Sequence, residues 1–174
     1  MKKIKQLGKI AFLALAISFG SCSSDDGGGS TGGGGSTANG TMKATVAGKS
    51  ITTMKEATFA TLNGTFLTVT GTTTSQEALG ITVYNFTGPG TYALITGNDL
   101  GVAFTYSKIN LSNPLDTGNT WYAPLDETTG TSGTLTVSEV TATHVKGTFS
   151  FKAINEQNTY KEVTNGVFDV EIKG

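Results

Sequence analysis

The residue whose chemistry the sequence makes most explicit is Cys22, the only cysteine among the 174 residues. Four lysines lie within the first nine positions, the apolar run 10–17 follows, and Gly20 and Ser21 precede the cysteine. This order resembles a lipobox, in which the thiol receives a diacylglycerol and the cysteine becomes the new N-terminus after cleavage. The apolar run is roughly half as long as the stretch of about 20 residues that a membrane-spanning helix needs. We therefore expect a lipoprotein signal peptide over residues 1–21 and palmitate-type acylation of Cys22.

The residues directly after the cysteine, Ser23, Ser24, Asp25 and Asp26, bear on location. They resemble the serine-plus-acidic export signal that directs Bacteroidetes lipoproteins to the outer face of the outer membrane. In the alternative interpretation the two aspartates only solubilise the linker, which leaves the periplasmic face open. Gly27–Gly40 is rich in Gly, Ser and Thr, a composition typical of a flexible tether. We expect residues 22–40 to anchor the protein to the outer membrane, facing the cell exterior, because two or three acyl chains hold firmly.

Residues with catalytic or metal-binding chemistry are few and scattered. His144, the only histidine, would have to serve any Ser-His-Asp or Cys-His arrangement, and no G-x-S-x-G sequence accompanies it. The tripeptide Asp116-Thr117-Gly118 matches that of aspartic proteases, but it occurs once and a dyad needs two carboxylates. Asp126 and Glu127 are neighbours in a loop, not acids across a cleft. Zinc needs several His or Cys ligands, and no segment matches a calcium loop. We expect no enzymatic activity, no metal and no cofactor.

The candidate ligand-binding residues are Trp121 and Tyr122, within the segment 119–124. Adjacent residues of a strand face opposite sides, so we expect one ring to enter the core and the other to lie near solvent. An exposed ring beside Asn and Thr suits stacking on a sugar or anchoring a partner. We favour the alternative in which Trp121 fills the core.

Charge and composition exclude one class of partner. Of the 12 basic residues four precede the cysteine, and of the 13 acidic residues two are Asp25 and Asp26. Residues 41–174 therefore carry eight lysines against eleven carboxylates, and the chain has no arginine. Nucleic-acid binding depends on basic side chains, with arginine the preferred reader of phosphates and base edges. We expect no nucleic-acid partner.

The elements that position these residues are strands, because apolar and polar residues alternate almost everywhere after residue 40. Asn63-Gly64 predicts a hairpin with positive φ at both residues, and Asn165-Gly166 predicts a second turn. We expect threonines on the solvent side of the strands, where β-branching suits the pleat. The sequence predicts one all-β domain over residues 41–174, an antiparallel β-sandwich or flattened β-barrel. Periodicity does not separate the two, and we lean to the sandwich.

A family resemblance extends over nearly all of residues 41–173. It is carried by Met42–Lys49, Asn85–Leu94, Trp121, Val145–Ala153 and Val163–Val170. These segments resemble a Bacteroidetes surface-lipoprotein family classified only as a domain of unknown function, of the 6252 type. The resemblance implies the same location and an all-β fold. It supplies no catalytic residues.

The expected function is a lipid-anchored, non-enzymatic binding module at the cell surface. The membrane is a partner through Cys22, and an extracellular glycan, a peptide or a small apolar ligand is the candidate second partner. Three alternatives stay open: a structural, assembly or adhesion protein of the cell envelope, a lipocalin-like carrier and a hydrolase. The oligomeric state does not follow from the sequence.

Overall fold

The alternating sequence pattern becomes strand throughout most of the computed structural model, which describes residues 39–94, 101–113, 117–123 and 130–174. The short 3-10 helices Lys55–Ala57 and Thr117–Asn119 interrupt the strands. The strands within these ranges are β1 (Thr41–Val46), β2 (Lys49–Thr52), β3 (Thr58–Asn63), β4 (Phe66–Thr72), β5 (Glu77–Val83), β6 (Gly90–Ala93), β7 (Val102–Lys108), β8 (Thr120–Ala123), β9 (Ser132–Val140), β10 (His144–Ile154) and β11 (Tyr160–Glu171). No helix within the described ranges is long and apolar enough to span a bilayer.

The strands form one antiparallel sheet in the order β2-β1-β11-β10-β8-β7-β5-β4-β3, with β9 also paired to β10 and β6 paired to β9. The sheet curls until its far strand, β3, reaches the end of β11, where the N–H of Lys173 donates to the carbonyl of Ala60 at 2.8 Å. The predicted all-β antiparallel fold is confirmed. Of the two predicted architectures, the continuous curled sheet, a half-barrel, is nearer to the flattened barrel.

The inward-facing side chains of the two halves of the sheet pack against each other. Phe104 on β7 stacks on Phe151 of β10 with ring centroids 4.9 Å apart and an interplanar angle of 16°. Phe149 lies 6.3 Å from Phe168 in the same interior. A fully buried phenylalanine contributes about 1.5–3 kcal/mol relative to an exposed one, so contacts of this kind hold the curl closed.

The hairpin between β3 and β4 forms one residue later than the sequence predicts. Asn63 pairs with Phe66, so the two turn residues are Gly64 and Thr65. Gly64 has φ of 59°, whereas neither Asn63 nor Thr65 has a positive φ. This arrangement corresponds to a type II′ turn, which places glycine first, and not to the predicted Asn-Gly type I′ turn.

Asn165-Gly166 is not a turn but a β-bulge in the middle of β11. Phe149 pairs with Gly166 and Phe151 pairs with Val163, so two steps along β10 correspond to three steps along β11. The pairing of β11 with β1 shifts at the same place. Asn165 adopts φ of 52°, a left-handed conformation that Asn tolerates better than most residues. The prediction of a turn was wrong because a bulge and a turn require the same local backbone.

Candidate functional site

The outward surface of β3, β4, β5, β7 and β8 carries no charged side chain. We call it the threonine face, because seven of its residues are threonine. Every member is half-buried or exposed, whereas most of the residues that alternate with them along the strands are buried. The threonine face consists of Phe59, Thr61, Asn63, Phe66, Thr68, Thr70, Thr72, Ala78, Gly80, Thr82, Ala103, Thr105, Ser107, Thr120 and Tyr122.

The strand register arranges these residues in rows that cross the sheet. One row runs Phe59, Thr70, Gly80, Thr105 and Tyr122, each paired directly with the next. Because adjacent strands lie about 4.8 Å apart, the two rings at the ends of this row are separated by about 19 Å along the surface. Between them the row carries two hydroxyls and a glycine that has no side chain. The result is a polar path with an aromatic ring at each end.

Rings also mark the hairpin end of the threonine face. Phe66, 41% exposed, makes an edge-to-face contact with Tyr84 at 5.4 Å between centroids. At the β3 border, Lys173 places its Nζ 5.3 Å from the centre of the Phe59 ring. A cation therefore lies beside the face but not among its residues.

The outward surface of the other half of the sheet is charged. Lys146 on β10 lies between Glu139 of β9 and Asp169 of β11, with Nζ–carboxylate distances of 3.5 and 3.8 Å. Lys152 also projects outward from β10, over the ring of Tyr160 at 4.4 Å. The two outward surfaces belong to the same sheet but differ in charge. The lack of charge is therefore a local property of the threonine face and not a property of the whole fold.

Trp121 and Tyr122 lie on opposite sides of β8, as the alternation predicts. Trp121 is buried: its ring packs 5.6 Å from that of Tyr106, and its indole N–H donates to the Thr159 hydroxyl at 3.1 Å. The Nζ of Lys161 lies over the Trp121 ring, 5.1 Å from its centroid. Tyr122 is 43% exposed and belongs to the threonine face. Of the two candidate ligand-binding residues, only Tyr122 presents its ring to solvent on this face.

A hydrogen-bonded carboxylate inside the sheet supports the strands behind the threonine face. Glu77 on β5 is 7% exposed and accepts a 2.8 Å hydrogen bond from the Tyr106 hydroxyl of β7. Its other oxygen accepts from Ser75 at 2.8 Å and lies 3.7 Å from Nζ of Lys49. Tyr106 in turn packs on Trp121 of β8. These contacts join three consecutive strands of the face from within.

The surroundings of Glu77 and Tyr106 keep the Glu77 carboxyl ionised and the Tyr106 hydroxyl protonated. Burial raises the pKa of the Glu77 carboxyl, but hydrogen bonds from Tyr106 and Ser75 and the charges of Lys49 and Lys108 outweigh it, so the pKa lies below its usual value. Burial, the hydrogen bond to Glu77 and the charge of that carboxylate raise the pKa of Tyr106 far above its usual value. The pair therefore serves as a structural support with no titration near neutral pH.

Comparison with known proteins bears on this domain as a whole. The sequence profile of a family described as a domain of unknown function, DUF6252, matches residues 39–170. The chain belongs to the DUF6252 family. The match begins two residues before β1 and ends within β11, so it includes all strands of the threonine face. No curated protein and no solved structure matches the chain.

The only histidine of the DUF6252 domain lies on the charged half, at the start of β10. The imidazole Nδ1 of His144 contacts the hydroxyl of Thr143 at 3.1 Å. The backbone N–H of His144 donates to the hydroxyl of Thr141 at 3.0 Å. A groove of about 320 Å³ borders His144, Lys146 and Asp169. The Thr141 hydroxyl also accepts from the N–H of Thr143, so this hydroxyl stabilises the turn between β9 and β10.

Several candidate residues from the sequence lie outside the residues that the structure describes. They are Cys22, the export-signal residues Ser23, Ser24, Asp25 and Asp26, and the carboxylates Asp116, Asp126 and Glu127. Within the described ranges, no three His, Cys, Asp or Glu side chains converge as a metal site requires.

Sequence reasoning missed the threonine face as a unit, although a signal for it exists. Between Ala57 and Ser107 the sequence holds only two charged residues, Glu77 and Asp99. Glu77 points inward, so the outward positions of four successive strands are left uncharged. Recognising them as one surface required the register, which alternation within a single strand does not provide.

Proposed function

We propose that this chain is a lipid-anchored, non-enzymatic binding module on the outer face of the outer membrane, and that the threonine face is its binding surface. The observation that carries the proposal is the contrast between the two outward surfaces. One half of the sheet carries outward charged side chains such as Lys146, Glu139 and Lys152. The outward residues of the other half are all uncharged: hydroxyl-bearing residues and rings, with two alanines, one glycine and one asparagine among them. Exposed apolar groups that lie together mark interaction sites, and the exposed rings of Phe66 and Tyr122 supply the apolar part of this surface.

The anchor rests on the sequence of residues 1–26. A diacylglycerol on Cys22 would hold the chain on the membrane. Asn39 and Gly40 already pair with Asp169 of β11, so the free tether would be residues 23–38, with a root-mean-square reach of roughly 20–24 Å. A domain on such a tether samples many orientations. The threonine face would therefore be accessible to large extracellular ligands without a fixed docking geometry.

Two measurements test the anchor. Mass spectrometry of the native protein should find an acylated Cys22 as the first residue, and Cys22→Ser should release the domain from the membrane fraction. Protease added to intact cells should remove the wild-type domain, whereas Asp25→Ala with Asp26→Ala should protect it inside. An unmodified thiol, or a domain that the protease never reaches, overturns the proposed location.

A photocrosslinking residue tests the binding surface without assuming the ligand. Introduced at Tyr122 on intact cells, it should yield an adduct under illumination. The matched control carries it at Thr148, an exposed position of β10 on the charged half. Adducts at position 122 and not at 148 support the threonine face as the binding surface. Equal yields at both positions, or none at 122, overturn it.

A further inference from the structure

Resting on the proposed function, we infer that the ligand of the threonine face is an uncharged polysaccharide. The path from Phe59 to Tyr122 binds one chain of it, with the two rings stacking on sugars and the intervening hydroxyls bonding to sugar hydroxyls. The inference follows from three properties of the surface: its hydroxyl density, the placement of its rings and its lack of charge.

Hydroxyl density matches the chemistry of a sugar. Each Thr hydroxyl is one donor and two acceptors, and it rotates to suit its partner. A sugar hydroxyl has the same inventory, so the two surfaces can exchange hydrogen bonds in either direction. Thr68 pairs directly with Thr82, and Thr61 pairs with Thr68, so hydroxyl-bearing residues repeat across neighbouring strands.

The rings provide the apolar part of the contact. Phe59 and Tyr122 end the central row, and Tyr122 pairs onward with Ile154, which pairs with the exposed Tyr160. Aromatic side chains bury large areas at low conformational cost and stack face-on with flat apolar surfaces. Gly80, in the middle of the row, lacks a side chain and lets a ligand approach the backbone between the rings.

The same properties disfavour other partners. Threonine is under-represented among the residues that dominate protein–protein binding energy. Burial of unpaired hydroxyls in hydrocarbon costs several kcal/mol, so the face does not suit a lipid interior. An anionic polymer or an anionic headgroup would require lysines among the residues of the face, whereas Lys173 lies only at its border, over Phe59.

The test uses the full-length lipidated chain, extracted in detergent and incubated with insoluble cellulose, insoluble chitin and soluble β-1,3-glucan, and with alginate and polygalacturonate as acidic polymers. We expect retention on at least one neutral polymer and on neither acidic one. Thr105→Lys places a charge in the centre of the path and should weaken binding by about tenfold or more. Thr148→Lys makes the same change on the charged half and should leave binding unaltered.

Tyr122→Ser supplies an independent variant that removes a ring without adding charge, and circular dichroism of all variants confirms folding. Binding to neutral polymers that is lost in Thr105→Lys and Tyr122→Ser, and kept in Thr148→Lys, supports the inference. Binding to acidic polymers alone, equal binding by all variants, or no binding to any polymer overturns it. If the photocrosslinker at position 122 captures a protein, the inference of a polysaccharide ligand is overturned, whereas the proposed binding surface is still supported.

Discussion

Replacing Tyr106 with phenylalanine removes one hydroxyl from the interior and leaves the ring that packs on Trp121 in place. The Glu77 oxygen that accepts from Tyr106 at 2.8 Å then loses this partner in a site that is 7% exposed. A hydrogen bond to a charged group contributes about 1.5–3 kcal/mol, so we expect the free energy of unfolding at pH 7 to fall by about that amount. Urea denaturation, followed by the fluorescence of Trp121, measures it.

The expected loss depends on pH because the acceptor titrates. The folded-state pKa of Glu77 lies below its usual value of 4.5, so its ionised form stabilises the fold above the unfolded-state pKa. That contribution disappears as the pH falls through the lower folded-state value. Once Glu77 is protonated, the bond joins two neutral groups and contributes only about 0.5–1.5 kcal/mol. The effect of Tyr106→Phe should therefore be smaller in acid, below the folded-state pKa of Glu77, than at pH 7.

The matched control is Tyr122→Phe, which removes a hydroxyl from an exposed ring on the adjacent strand. It should change stability by no more than about 0.5 kcal/mol at either pH. A cost of Tyr106→Phe below this value at pH 7, or an equal cost at both pH values, would refute the account of an ionised, hydrogen-bonded Glu77.

Three further substitutions test the packing of the sheet, each measured by urea or thermal unfolding. Gly147→Ala places a Cβ against the carbonyl oxygen of Thr136 and should cost about 1–3 kcal/mol, whereas at Gly80 the nearest atom is 3.6 Å away and the same change should be nearly neutral. Asn165→Val should cost about 1–2 kcal/mol because β-branching opposes a φ of 52°, and Asn165→Gly should be tolerated. Trp121→Phe loses a 3.1 Å hydrogen bond and core volume, so a cost of about 1–3 kcal/mol is expected; no loss would contradict its burial.

Much of the fold was predictable because alternation reports which side of a strand is buried. The buried Met42, Phe104 and Val170 lie at apolar positions of this alternation, and Trp121 and Tyr122 were correctly placed on opposite sides of one strand. Two errors concern backbone geometry. At Gly64 the turn moved by one residue, and at Asn165 a bulge replaced a turn, since positive φ suits several local structures and only the partner strands select among them.

Local pattern thus accounts for the strands, the solvent-side threonines and the prediction of a lipid anchor at Cys22. It does not account for which strands become neighbours. The row from Phe59 to Tyr122 joins residues up to 63 positions apart in the chain, and it exists only because the pairing of β3, β4, β5, β7 and β8 brings them side by side. The curl of the sheet, the Glu77–Tyr106 support and the uncharged surface all arise from contacts distant in sequence, which hydrophobic burial in the folded domain selects.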